Sequence, residues 1–272
     1  SNKDVHQPQV LIIEHADVRR MLLYQKAIVE GSIALLLQCS LYGDLAHHGQ
    51  GEDAVNANLL LELLTPIAKS YPSEMGIHSV SQGMQVLGGA GYTDDFPLEQ
   101  HYRDIRVNAI YEGTTTIHGM DLLGRKLTME NGKGLQLLSK EIQTAIEAAM
   151  LIPSLKPYAE QLMKTGASLQ ETTVNLFQLA SKESPEVFLA DATLYLEYFG
   201  TLVLAWIWLK QALVAESGLA QNPSTNDQNF YAGKIQTFKY FFEYELPKVV
   251  AMKIRLNSSV RVTLETRAEE LV

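Results

Sequence analysis

The sequence predicts an all-α fold. Three observations carry that expectation: long segments whose apolar residues recur at helical spacing, no convincing alternating run for a strand, and Gly- or Pro-rich interruptions between segments.

Asp17 is placed to cap a first helix from Val18, with Met21, Leu22, Ala27, Ile28, Ile33, Ala34 and Leu37 near helical period, ending about Leu45 before the HHGQG stretch. A second helix is expected over 52–70, kinked or shortened by Pro66, and a third over 74–87, started by Ser73 and stopped by glycines. Residues 90–97 read as loop, 98–105 as a short helix, 108–113 as a turn and 114–127 as helix again. The pattern breaks at Met129-Glu130-Asn131-Gly132-Lys133-Gly134, which divides the chain into 1–128 and 129–272. Further helices are expected over 135–151, 158–181, 185–216 and 229–256, with Ser184 before Pro185 as a start signal and Pro247 as a kink or split. The polar stretch within 218–236 reads as a loop.

Composition narrows the function classes. With 46% hydrophobic and 19% charged residues, the 272-residue chain resembles an ordinary globular protein with ample core. A net charge of -9 argues against nucleic acid or an anionic membrane surface as partner. The lone cysteine, Cys39, excludes an internal disulfide and fits a reducing, cytoplasmic setting; its apolar surroundings read as core. Residues 1–9 are polar and carry no signal-peptide pattern, and the greasy run 199–209 is too short to span a bilayer, so it reads as a buried helix. His47-His48 lack the companions that metal ligation needs, and no metal site is expected. The aromatic run Phe238, Tyr240, Phe241, Phe242 and Tyr244 reads as core or interface.

The most informative stretch is QVLGGAGYTDDFPLEQHYRDIRVNAIYEGTTTIHGMDLLGRK, residues 85–126. Glu112 stands between Tyr111 and Gly113 in a turn, with Thr114, Thr115 and Thr116 behind it. A carboxylate on a tight turn suits proton abstraction, and it equally suits the N-terminal end of the following helix. The threonines can hold phosphate oxygens or simply cap that helix. Gln85, Gly88, Gly89 and Gly91 form a string where backbone can approach a ligand, or where a helix merely stops.

Taken together, the YEGTTT turn, the QxxGGxG string and Arg103-Asp104 between them make the stretch 17–126 resemble the C-terminal helical domain of the flavin-dependent acyl-CoA dehydrogenases. The tail of the motif is similar to the branch that includes the methylmercaptopropionyl-CoA dehydrogenases, with 134–272 as its helical extension. The resemblance implies oxidation of an acyl-CoA to the 2,3-enoyl-CoA, with FAD as cofactor and an electron-transfer flavoprotein as acceptor. It implies that Glu112 abstracts the α-proton and that its N–H helps hold the thioester carbonyl. A pocket that desolvates the carboxylate would raise its pKa. Gly113 is implied beside the substrate, and Thr114 and Thr116 at the flavin diphosphate; many relatives carry glutamine at the position of Thr116. Gln85, Gly88, Gly89 and Gly91 are implied against the FAD of a neighbouring subunit, hence at least a homodimer. Arg103 and Asp104 are expected to form an internal ion pair, and His118 to be a polar wall.

Family members also carry an N-terminal helical domain and a β-domain ahead of this part, so the chain is expected to be a C-terminal portion that binds FAD poorly alone. An acyl-CoA oxidase shares the same base. A non-catalytic flavoprotein relative conflicts with the intact Glu112 and the acidic charge. A helical assembly module remains the plain reading for 134–272.

Overall fold

The computed structural model describes residues 9–272; the polar opening, residues 1–8, lies outside them. Helices carry the fold, and no strand occurs among the described residues. Helix α1 (Ala16–His48) and helix α2 (Gly51–Leu87) form an antiparallel hairpin through Gly49-Gln50, with Gly51 at φ 61. Helix α3 (Leu98–Val107) returns along α2, α4 (Thr115–Gly124) follows the turn, and a kinked 3-10 stretch, Lys126–Gly132, leads to α5 (Lys133–Met150). Then come α6 (Lys156–Ala180), α7 (Pro185–Leu189), α8 (Ala192–Leu219), α9 (Thr225–Tyr240), α10 (Val249–Leu256) and the short α11 (Val262–Glu265).

Helix α8 is the spine. Tyr195, Tyr198, Phe199, Trp206 and Trp208 are all buried, and a helix apolar all round must be enclosed by others. Around it pack α1, where Trp208 Nε1 donates to Ala27 O at 3.0 Å, and α6, where Thr173 and Tyr195 share a hydroxyl hydrogen bond at 2.7 Å. Phe238, Tyr240, Phe241 and Phe242 close the core from the C-terminal side, while Tyr244 stays exposed. The hydrophobic core is continuous across the break at 128/129. In that break Glu130, Asn131 and Gly132 take positive φ, so no helix can run through. By length and composition α1 and α8 could each cross a bilayer; 78% of the most apolar window of α8 is buried in protein, against 33% for α1.

Several boundaries differ from the sequence reading. Asp17 lies inside the first turn of α1, with His15 at the cap position, and pairs with Arg20 at 2.7 Å. The helices expected at 52–70 and 74–87 are one continuous α2, with both Pro66 and Pro72 inside it. Each proline removes one helical hydrogen bond. Flanking hydroxyls add others, Thr65 Oγ1 to Leu61 O at 2.7 Å and Ser73 Oγ to Lys69 O at 2.6 Å. Packing along the α1 hairpin holds the helix together across the remaining gaps. The helix expected at 185–216 is cut at 190–191, where Asp191 turns to meet Arg255 at 2.9 Å. The loop expected within 218–236 shrinks to 220–224, because Ser224 caps α9 by accepting from the Asp227 N–H at 3.3 Å. Pro247 does split the last long helix, after a π-helical turn at Phe241–Glu245.

Candidate functional site

Helix α3 decides where the turn goes. It runs antiparallel to the second half of α2, close enough that a Cβ on Gly76 would lie 2.5 Å from Ile105 Cδ1, and one on Gly83 would lie 3.4 Å from Leu98 Cδ1. Glycine at 76 therefore lets the end of α3 settle on α2, and the chain emerges at the level of Lys69 to Glu74. There the turn forms. Glu112 takes φ 55 and Gly113 takes φ 91. For Glu112 this left-handed conformation costs on the order of 1 kcal/mol, so surrounding contacts must hold it.

Two side chains do so. Lys69 Nζ, from α2, donates to Gly113 O at 2.5 Å. His118 Nε2, from α4, lies 3.2 Å from Glu112 O; a carbonyl only accepts, so Nε2 carries the proton in this contact. One turn further along α2, Glu74 accepts the Thr115 hydroxyl, tying the start of α4 to the same helix. Below lies a cavity of about 280 Å³ lined in part by Ser70, Glu74, His78, Thr115, Thr193 and Glu197. Burial raises the pKa of the Glu197 carboxyl there, against the opposing pull of His78 and Lys248.

The carboxylate itself is outside this packing. Glu112 is exposed and makes no side-chain hydrogen bond or ion pair among the described residues. Nor does it lie in the first turn of α4: Thr114 is the cap residue, with ψ 160, and Glu112 precedes it. This geometry disfavours the simple helix-end reading of that carboxylate. The described residues around it do not build an enclosing pocket.

The start of α4 offers the opposite charge preference. Thr114 makes no side-chain cap hydrogen bond, and the first helical hydrogen bond runs from the His118 N–H to Thr114 O. The amides before it are unsatisfied within the helix, and Thr114 and Thr116 are exposed beside them. Hydroxyls and free N–H groups at a helix start fit phosphate oxygens. Thr116 also accepts weakly from Thr193 Oγ1, at 3.5 Å.

The glycine string sits elsewhere. It forms a 3-10 turn at Gly88–Gly91, 19 residues along α2 from Lys69, hence about 28 Å away. Gly88, at φ 61, ends α2, and a Cβ on Gly91 would come within 2.6 Å of Met84 O. Gly88 and Gly89 have nothing within 4 Å of an added Cβ, so their backbone lies open to a ligand. Gln85 is exposed next to them. Within one chain the string and the Glu112 turn are therefore not brought together.

Arg103 and Asp104 form no ion pair with each other; both are exposed on α3, and adjacent residues on a helix do not face each other. The ion pairs that brace this region lie elsewhere: Arg125 with Asp121 at 2.6 Å, and buried Lys126 with Glu62. Lys69 and Glu74 escaped the sequence reading. A lysine and a glutamate five residues apart lie on different sides of a helix and carry no signal of their own. A separate cavity of about 460 Å³ between α1, α8 and α9 is lined by none of the turn residues.

Residues 3–127 match the family model described as acyl-CoA dehydrogenase, C-terminal domain, and residues 138–266 match the one described as acetyl-CoA dehydrogenase C-terminal like. The broad-specificity linear acyl-CoA dehydrogenase FadE5 of Mycobacterium tuberculosis is 30% identical over 97% of the chain, which spans 43% of that protein. The 3-methylmercaptopropionyl-CoA dehydrogenase of Ruegeria pomeroyi is 33% identical over 93% of the chain, covering 42% of its own length. Among solved structures, an acyl-CoA dehydrogenase from Bacillus anthracis complexed with FAD shares the fold, with a TM-score of 0.61 at 15% identity over 93% of this chain and 48% of that one. The chain thus spans less than half the length of the curated relatives it matches. On these matches, the chain belongs to the acyl-CoA dehydrogenase family and carries its C-terminal helical portion.

Proposed function

We infer that this chain supplies the base and part of the flavin site of an FAD-dependent acyl-CoA dehydrogenase acting within a longer polypeptide. The observation that carries the reading is Glu112: a carboxylate held at positive φ, exposed, and without a side-chain partner among the described residues. A free carboxylate on a braced turn is suited to receive a proton from a substrate docked against it. FAD, when bound, supplies the acceptor for the β-hydrogen. Thr114, Thr116 and the free amides of α4 are the groups here that would hold its diphosphate. Glu112 removes the α-proton of the acyl-CoA thioester, Gly113 leaves room for the acyl chain, and the Glu112 N–H donates to the thioester carbonyl as negative charge builds there.

The rise of about 21–28 Å along α2 from the level of the turn (Lys69 to Glu74) to the glycine string supports a homodimer in which Gln85, Gly88, Gly89 and Gly91 serve the partner's flavin. We divide the chain at 128/129 into the family's helical domain and an extension, and expect an electron-transfer flavoprotein as acceptor.

The test is Glu112→Gln in the full-length flavoprotein, which keeps shape and removes basicity. Anaerobic mixing with acyl-CoA should leave flavin content and substrate binding in place while flavin bleaching falls by about 10³-fold or more. Near-normal reduction in the variant would remove Glu112 from the mechanism.

A further inference from the structure

We propose that Lys69 and His118 are positioning residues that clamp the Glu112 turn. The inference rests on the reading of Glu112 as the base. The two carbonyls in question, of Glu112 and Gly113, are consecutive, and each is gripped by a side chain from a different helix: His118 Nε2 at 3.2 Å from the first and Lys69 Nζ at 2.5 Å from the second. Both residues adopt positive φ, so the peptide planes on either side of Gly113 have been turned away from ordinary helix geometry. Gripping both carbonyls fixes those planes, and with them the direction of the Glu112 side chain and N–H.

The choice of lysine is informative. Lys69 is half-buried and forms no ion pair among the described residues; Glu74, five residues on, points to a different side of α2. Glu74 is engaged with the Thr115 hydroxyl instead. An ammonium whose bond goes to one strained carbonyl holds that carbonyl more strongly than a neutral donor would. The long lysine stem also bridges from a rigid helix to the tip of the turn, where neither the Glu112 nor the Gly113 N–H makes a backbone hydrogen bond among the described residues. His118 closes the other side: a Cβ on Gly113 would lie 3.0 Å from His118 Nε2, so the imidazole packs directly on the turn. Neither side chain need touch the substrate. Their work is to keep Glu112 aimed before the substrate arrives, which is where a small displacement is most costly to rate.

The test uses the full-length flavoprotein with Lys69→Met, which keeps the stem and removes the donor, and Lys69→Arg, which restores a charged donor. Hydrogen exchange in the peptide covering 108–116, measured without substrate, reads the turn directly. Anaerobic flavin reduction over a range of acyl-CoA concentrations separates the chemical step from substrate affinity. We expect Lys69→Met to speed exchange in 108–116 and to slow saturating reduction by about tenfold or more. Affinity should change less than about threefold, and Lys69→Arg should recover most of both effects. Unchanged exchange in Lys69→Met overturns the clamp, whatever the rate does. Faster exchange with unchanged reduction overturns the positioning role. If Lys69→Met does not accumulate as folded protein, His118→Phe removes the other grip and is judged by the same two outcomes. A parent protein whose flavin no acyl-CoA reduces would sink the reading of Glu112, and the exchange measurement would still decide the clamp.

Discussion

The contact between α4 and α8 makes Gly119→Ala a sharp test of how the turn is supported. A Cβ at Gly119 would lie 2.8 Å from both the carbonyl carbon and oxygen of Ala192 and 2.9 Å from the Thr193 N. All three are backbone atoms, so no side chain can rotate away. On propensity alone, glycine to alanine inside a helix gains up to about 1 kcal/mol. Forcing a methyl into a filled contact costs about 1–3 kcal/mol. At a rigid backbone crossing the upper half of that range applies, leaving a net loss of about 1–2 kcal/mol. For a chain of this size that lowers the melting temperature by roughly 2–8 °C. Thermal unfolding followed by circular dichroism measures it, with Gly166→Ala as the comparison. Gly166 lies within α6 and has nothing within 4 Å of an added Cβ, so only the propensity gain remains and its melting point should rise. A Gly119→Ala protein that melts at or above the parent would refute the backbone clash. Equal losses in both variants would mean that the Ala192–Thr193 backbone does not set the cost at Gly119.

Other consequences follow from the core. Trp208→Phe removes the indole donor to Ala27 O and leaves a gap at the α1–α8 crossing, where a Cβ on Gly31 would lie 2.7 Å from Trp208 Nε1; the denaturant midpoint should show a loss of about 2–4 kcal/mol, and a loss below about 0.5 kcal/mol would contradict the packing. Burial pushes the Cys39 thiol up from 9.0 to about 11, so a thiol reagent at pH 8 should react only after denaturant is added, and rapid reaction of the native protein would refute that burial. The sign for stability follows: the folded state holds the thiol proton more tightly, so this contribution is fully present below pH 9 and is lost as pH rises toward 11. Cys39→Ala should flatten that part of the stability profile, and an unchanged alkaline slope would assign it to other groups, such as the buried Tyr240, also pushed up by burial, to about 12.

What could be read from the sequence was what is encoded locally. Helical spacing gave the all-α class, the glycines and polar residues at 129–134 gave the break, and the run 199–209 lies buried in α8 as expected. Pro247 announced the split before α10. The failures are all non-local. Nothing near Pro66 and Pro72 tells that hydroxyls one residue away and the α1 hairpin will keep α2 whole. The cut at 190–191 depends on Arg255, 64 residues on, and an arginine and an aspartate so far apart carry no pairing signal. Arg103-Asp104 shows the reverse error. Neighbours in sequence read as partners, yet adjacent positions on α3 diverge by about 100° around the helix.

The candidate site divides along the same line. Glu112 and the glycine string were legible as motifs, because tight turns and helix stops restrict residue type at fixed positions. Their separation was not, since it depends on α2 being a single rod. Had the prolines broken α2 into two helices, the string could have folded back toward the turn. With α2 intact, the string lies about 21–28 Å along the rod from the level at which Glu74 and Lys69 hold the turn, and no side chain can span that gap. The same rod presents Lys69 to the turn from below, 44 residues away in sequence. Its continuity therefore sets two things at once, the aim of Glu112 and the distance to the string. A change that breaks α2 near Pro72 should disturb both, while one at Lys69 should disturb only the first.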